Sequence, residues 1–331
     1  MSTTGVVVPG CAPVSRRVRA YFAPVVRVAG GVSTPAVFDP SLMGGSSLDA
    51  IPSPWLDLGR CSRFVRRSGT TVEPLRAGSP PTARWQARTG AAAEVELEFE
   101  QWGKLQLALS AGVQQMNLLV PAVGATALGS GASGGTAVAL VAGSTASVLQ
   151  VGAANGAAFA VGQMVAVDVD YTGQTGFLGS GANGGYVQVG SSVVLAVNYV
   201  RRVTLNVGLV TGVSGGALTL ASPLLAGVPT AAMKVSPMLG FVDREGGGFF
   251  QEWSAVFAME GEQGDRIFFH YPRLQAMTGP AEAADLLDGK GGSLGRVRLA
   301  ATFRALAATD ARDGEMVLCY RSYLPAAMQS I

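Results

Sequence analysis

Few residues of this sequence could do chemistry. Its single histidine, His270, lies in Phe268-Phe-His-Tyr271, where the surrounding aromatics predict a strand and favour a histidine held by local hydrogen bonds over a general base. Asp168 and Asp170 offer two carboxylates, too few for a typical calcium site, and their alternation with valines predicts a solvent-facing strand edge. The glycine clusters lack nucleotide-binding spacing, and Gly289-Lys-Gly-Gly292 predicts a turn. We therefore expect no enzymatic activity, no metal and no cofactor.

The three cysteines and the uncharged middle of the chain argue against a disulfide-bonded, zinc-binding or membrane-spanning protein. Cys11, Cys61 and Cys319 are odd in number and widely spaced, which predicts separate reduced thiols rather than disulfides or a zinc knuckle. The charge-free stretch between Lys104 and Asp168 is interrupted by glycine and polar residues too often for a membrane-spanning helix. The N-terminus lacks a basic segment followed by an apolar stretch, so we expect no secretory signal and no membrane partner.

Composition and length predict a folded, β-rich chain of about two domains. Of 331 residues, 48% are hydrophobic, 14% are charged and 45 are glycine, which excludes a disordered class and favours strands and turns. Residues 1–90 hold eleven basic and four acidic side chains, whereas residues 241–331 hold nine and twelve. Such oppositely charged zones suit a protein whose surfaces meet copies of itself.

Charge also divides the chain into outer and middle parts. Residues 1–124 and 236–331 contain nearly all the charges, and residues 125–235 predict an inserted, small all-β domain entered and left through Gly-, Ser- and Pro-rich stretches. The predicted strands of this insert are Thr145–Val151, Met164–Asp170, Val193–Leu205 and Ala217–Leu220.

In the outer parts, periodicity predicts an antiparallel β-sandwich with one flanking helix. Glu94-Val-Glu-Leu-Glu-Phe-Glu100 has period two, and Gln101–Met116 has the spacing of an amphipathic helix. Ten prolines in the first 81 residues predict long loops, including an extended arm over Gly30–Gly59. The remaining predictions are strands over Arg17–Phe22, Arg63–Arg67, Trp253–Met259, Arg266–Tyr271, Arg296–Arg304 and Glu315–Arg321, with at most a short helix over Pro280–Leu287.

Two groups of charged residues are candidates for function. The carboxylates of Glu94, Glu96, Glu98 and Glu100 share one face, where like charges repel, so either a cationic strand such as Arg296–Arg298 lies beside them or they face water. The basic residues could bind phosphate, but salt bridges at an interface with other subunits are favoured. These candidate inter-subunit contacts are Arg16, Arg17, Arg19, Arg66, Arg67, Arg296 and Arg298.

Short segments of residues 1–120 and 241–331 carry a family pattern. They are Ala20–Pro24, Pro35–Pro40, Trp55–Gly59, Val95–Leu119 with Phe99-Glu-Gln-Trp-Gly-Lys-Leu-Gln106 and Gln115-Met-Asn-Leu118, Ile267–Pro272, Val297–Leu306 and Asp313–Leu318. In these segments the chain resembles the tail tube, or major tail, proteins of long-tailed bacteriophages.

This resemblance implies a sandwich whose six copies form a ring, with stacked rings building a hollow tube. Inner sheets of neighbouring subunits would join into a barrel around the tape-measure protein and, during ejection, the DNA. An acidic lumen would repel phosphate, so Glu94, Glu96, Glu98 and Glu100 are candidate lumen-facing residues. The long N-terminal loop would reach the adjacent ring, and residues 125–235 would lie on the exterior of the tube. Whether a tail sheath surrounds the tube stays open. The protein would be made in the bacterial cytoplasm and reside in the virion tail.

Two other classes remain open from the sequence. A different tail or baseplate structural protein with the same sandwich would form a closed small ring rather than a stacked tube. A surface carbohydrate-binding β module would expose clustered aromatics, but the insert has only scattered ones, such as Phe159, Tyr171 and Tyr199.

Overall fold

The chain folds into two mainly β units. The computed structural model describes residues 15–25, 33–43, 54–112, 114–120, 137–168, 206–224, 227–231, 233–244, 252–262, 264–284 and 297–325. The first unit comprises Met1–Val26, Ser33–Trp102 and Glu252–Ile331, and the second comprises Arg27–Val32 and Gly103–Gln251. The strand pairings within each sheet are antiparallel, which confirms the mainly β, antiparallel, sandwich-like fold expected from the sequence.

The first unit contains one eight-stranded sheet and a small hairpin. The strands are β1 (Ser15–Pro24), β2 (Leu56–Ala77), β3 (Thr82–Phe99), β11 (Glu252–Gly261), β12 (Arg266–Ala276), β13 (Ala281–Ala284), β14 (Val297–Leu306), β15 (Ala308–Thr309), β16 (Met316–Val317) and β17 (Tyr320–Leu324). The sheet order is β13-β14-β3-β2-β1-β11-β12-β17, and β12 also pairs with β14. That additional pairing closes β14, β3, β2, β1, β11 and β12 into a ring of neighbours.

Aromatic side chains fill the space between the two layers of this closed sheet. Phe22 of β1 lies 5.4 Å, between ring centroids, from Phe303 of β14. Phe64 of β2 lies 4.9 Å from Phe257 of β11. Phe22, Phe257 and Phe303 are completely buried, so the inside of the sheet is a packed core without room for a passage.

A second apolar layer covers the outer face of β1, β11 and β12. Phe38, in the segment 33–43, packs on Trp55 and Phe268 at centroid distances of 6.1 and 5.2 Å. The backbone N–H of Ala36 donates to Ser254 Oγ at 2.9 Å. This part of the predicted arm therefore lies on its own unit, and β11 is buried on both faces because the segment covers it.

The predicted helix is shorter than its periodicity indicated. Helix α1 spans Lys104–Ala111 and belongs to the second unit. Gly112 ends it in the left-handed conformation, with φ of 61°, and its N–H donates to Ala108 O at 3.0 Å. Strand β4 (Gln114–Leu119) follows, so Met116 is not helical. The short helix predicted over Pro280–Leu287 is also wrong: residues 281–284 form β13, because they pair with β14.

The second unit has a seven-stranded sheet around its own core. Besides β4, its strands are β5 (Val138–Ala139), β6 (Val148–Gln150), β7 (Met164–Asp168), β8 (Val207–Ser214), β9 (Ala217–Leu220) and β10 (Lys234–Arg244), with a 3-10 helix over Ala153–Ala158; a second 3-10 helix, Pro40–Met43, lies in the first unit. The order is β4-β10-β7-β8-β9-β6, with β5 on β10. Leu149, Val165, Val210 and Leu218 form the centre of its core. The unit extends beyond residues 125–235 because β4 and β10 pair with each other.

Candidate assembly surface

The most prominent surface feature is a ribbon formed by residues 68–92, the outer halves of β2 and β3. The two strands pair from Cys61–Phe99 as far as Ala77–Thr82. Pairing of β14 with β3 ends at Glu94, and pairing of β1 with β2 reaches only Cys61. Among the described residues, the ribbon strands thus pair only with each other over roughly 30 Å, given the usual rise per residue. The long loops predicted for this region are wrong.

The ribbon exposes large apolar side chains. Trp85 is 69% exposed, Leu75 opposite it 53%, and Val72 47%. An isolated two-stranded ribbon is marginally stable in water, and its unpaired edges can pair with another chain. Pro74 is tolerated because one edge of its strand needs no backbone donor. Sequence reasoning missed this surface, although the Trp85 side chain between Arg84 and Gln86 was a usable signal.

The predicted alternation at Glu94–Glu100 is confirmed. Val95 and Leu97 are fully buried, and Glu94, Glu96 and Glu98 share the opposite, half-buried face of β3. Glu100 follows the end of the strand and is exposed.

Arginines of the two neighbouring strands neutralise much of this face. Glu96 forms ion pairs with Arg63 and Arg67 of β2, at 3.1 and 3.5 Å. Glu94 forms one with Arg304 of β14, at 3.2 Å. These contacts correspond to the cationic neighbour considered from the sequence, supplied by β2 and by another part of β14. The lumen-facing position of the glutamates stays a prediction.

Glu98 differs from the two paired glutamates. It accepts a hydrogen bond from Ser62 Oγ at 3.0 Å. Within the described part of the chain, neither Glu98 nor Glu100 lies in an ion pair. Of the four glutamates, these two therefore have the least neutralised charge.

Arg17 and Arg19, two further candidates, form ion pairs within the chain. Arg17 forms an ion pair with Glu260, its neighbour on β11. Arg19 Nε donates to Asp57 Oδ1 at 2.9 Å, and its terminal nitrogen binds the other oxygen of that carboxylate. Such fork-shaped pairing fixes both side chains. Their role towards other subunits stays a prediction.

Arg66 lies on the core side of β2. Its Nε donates to Tyr271 OH at 2.8 Å, and its guanidinium carbon lies 5.8 Å from the Phe269 ring centroid. Burial raises the pKa of Tyr271, so this phenol stays neutral. Arg298 lies on β14 opposite Ala283.

Of the last two candidate contacts, Arg16 and Arg296, the structure describes only Arg16. Arg16 lies within β1. Arg296 lies outside the described residues, as do Cys11, Asp170 and the whole strand predicted over residues 193–205.

His270 occupies a buried site beneath the segment 33–43. Its Nε2 lies 3.2 Å from Ala36 O, and its ring stacks on Tyr320 at 5.7 Å and meets Trp55 edge-on at 5.8 Å. Burial lowers the pKa of His270 to about 4. The neutral ring can thus hold the segment through a hydrogen bond, the role that the strand pattern favoured.

The two described cysteines, Cys61 and Cys319, are unbridged. Burial, with the nearby Glu100 charge, raises the pKa of Cys61 to about 12, and burial also raises the pKa of Cys319. Both are therefore poor nucleophiles at neutral pH. No group of three or more potential metal ligands occurs among the described residues.

A small acidic hairpin forms a second surface feature. Strands β15 and β16 enclose residues 310–315, of which Asp313 and Glu315 are exposed. Asp310 accepts hydrogen bonds from Arg312 N and from Tyr320 OH, which together lower its pKa.

Comparison with known proteins adds no identification. No family model and no curated protein matches the chain. In the described part of the structure, no helix is long and apolar enough to cross a membrane.

Proposed function

We propose that this protein is a structural virion protein whose hexameric rings stack into a bacteriophage tail tube that conducts DNA during ejection. The observation that carries the proposal is the ribbon 68–92, because its strand edges and the Trp85–Leu75 pair lie exposed. The mainly β sandwich of the first unit supports it.

Assembly would bury the exposed apolar side chains of the ribbon and pair its free strand edges. Fully burying a large apolar side chain contributes roughly 1.5–3 kcal/mol, and Trp85, Leu75 and Val72 are all available for burial. Identical copies arranged around an axis can pair their strand edges and so remove them. A cyclic arrangement therefore stabilises the ribbon without leaving an edge for uncontrolled aggregation.

The path of the DNA would lie between subunits. The core of the sandwich is filled by Phe22, Phe257 and Phe303, so a passage requires an axis surrounded by several copies. The face carrying Glu94, Glu96, Glu98 and neighbouring arginines is our candidate for the wall. Because its glutamates are partly paired, this wall would be weakly charged, and DNA would slide along it without extensive counterion release. The tape-measure protein would occupy the same passage before ejection.

Electron microscopy of the purified protein tests the proposal. We expect open-ended tubes with a hollow axis, and loss of these tubes in Trp85→Ser/Leu75→Ser. Val37→Ser is the matched control, because Val37 is 85% exposed but lies outside the ribbon. Closed small rings would instead indicate another tail or baseplate component. A protein that remains monomeric at all concentrations, and binds polysaccharide, would contradict assembly and support the carbohydrate-binding alternative.

A further inference from the structure

Hydrogen bonds within the turn hold the acidic hairpin formed by residues 308–317. Gly314 adopts a φ of 78°, and its N–H donates to Asp310 O at 2.8 Å. The N–H of Glu315 donates to Asp313 Oδ1 at 2.9 Å. These bonds fix the backbone of the turn and the Asp313 carboxylate.

Two of its carboxylates form no ion pair within the described part of the chain. Arg312 and Tyr320 bind Asp310. Asp313 and Glu315 are exposed, and neither forms an ion pair with any residue that the structure describes. Next to them Met316 is 63% exposed. With three carboxylates and one arginine the hairpin is negatively charged, and it also exposes an apolar side chain.

The ribbon 68–92 has the opposite charge. Arg76, Arg84 and Arg88 are exposed, and within the described ranges none of them pairs with a carboxylate. The ribbon has one acidic residue, Glu73, so its charge is positive. Trp85 and Leu75 share one face of the ribbon, whereas Arg76 and Arg88 lie on the other, because paired residues share a face and successive residues alternate.

We propose that the ribbon of one copy docks on the acidic hairpin of a second copy. The arginines would pair with Asp313 and Glu315, since the two surfaces are opposite in charge. The partner is a second copy because the same chain carries both surfaces. This inference rests on the proposed function and assigns the contact through which its subunits would meet.

A ribbon-to-hairpin contact joins two different surfaces, so each copy keeps one of each available for further copies. Repetition of such a head-to-tail contact produces a closed ring or an open filament. Because both charged groups are exposed, salt should weaken the contact.

Charge reversal in the full-length protein tests the contact. The ribbon variant is R76E/R84E/R88E and the hairpin variant is D313K/E315K. Each places like charges on the two surfaces, so each alone should raise the concentration needed for assembly by roughly tenfold or more. Mixed together they should assemble, because the acidic ribbon fits the basic hairpin and the arginine ribbon fits the acidic one. Sedimentation velocity and electron microscopy measure both effects, and circular dichroism confirms folding.

The control variant E262K/E282K changes the net charge as much as the hairpin variant does, at exposed positions outside it. It should assemble like the wild type. Normal assembly of either reversal variant alone, or failure of the mixture to assemble, would overturn the contact while leaving the tube proposal standing. A wild-type protein that never assembles would instead refute the proposed function.

Discussion

Loss of the Arg273 guanidinium should strongly destabilise the first unit. Arg273 Nε lies 2.8 Å from Glu252 Oε2, and its Nη1 donates to Ala307 O at 2.8 Å. The Glu252 side chain is only 2% exposed, whereas that of Arg273 is 25% exposed. The pair lies where β12 meets both β11 and β14, which is the contact that closes the sheet.

Arg273→Met keeps an unbranched apolar stem but leaves the Glu252 charge buried without its guanidinium. Breaking a buried pair in this way costs about 3–5 kcal/mol, and the partial exposure of Arg273 places the expectation near the lower limit, about 3 kcal/mol. The double variant Arg273→Met/Glu252→Gln removes both charges and should recover most of that loss.

Urea denaturation followed by circular dichroism measures these differences. Arg304→Met is the matched control, because Arg304 pairs with Glu94 on the same sheet but is 55% exposed. An exposed pair contributes at most about 1 kcal/mol, so this variant should stay close to the wild type. The reasoning fails if Arg273→Met costs no more than Arg304→Met, or if the double variant is as unstable as the single one.

Three further expectations concern the segment 33–43 and the glutamate face. The folded state holds the pKa of His270 at about 4, below its usual 6.5, so stability should fall as the pH drops through this interval. Between pH 7 and 5, urea melts should show wild type losing about 2 kcal/mol more than His270→Gln, and equal losses would contradict this expectation. Phe38→Ala should cost about 2 kcal/mol and speed limited proteolysis of the segment, whereas Val37→Ala should do neither. Glu98→Lys/Glu100→Lys should leave tubes intact yet slow DNA ejection from phage, and normal ejection would count against a lumen-facing position.

Strands with one buried face were predictable because their pattern is local. Val95 and Leu97 alternate with glutamates, and the structure places them on opposite faces of β3. By contrast, the periodicity of Gln101–Met116 continued through Gly112, whose left-handed conformation ends the helix. Spacing alone does not identify this end, because Met116, which lies in β4, also falls at a helical interval from the apolar residues of the helix.

The ribbon was not predictable from alternation. Most of its side chains are exposed on both faces, so residues 68–92 give no period of two. Prolines then suggested loops. Pairing with the opposite strand forms the ribbon, and in a hairpin without an apolar face the turn fixes the register of that pairing.

The ion pairs of the candidate surface lie beyond sequence reasoning for a different reason. Glu94 and Arg304 are 210 positions apart, and they meet only because β14 pairs with β3. Likewise, Phe38 covers β12 only because the segment 33–43 crosses its outer face. The residue types were visible in the sequence, whereas their partners follow from topology.

A cryo-electron microscopic reconstruction of the assembled particle would test most directly whether copies of this chain assemble through the ribbon. We predict a hollow axis surrounded by copies of this chain, with residues 68–92 of each copy in contact with its neighbour. Density that leaves the ribbon in solvent, or fills the axis with protein from the subunits themselves, would contradict the account.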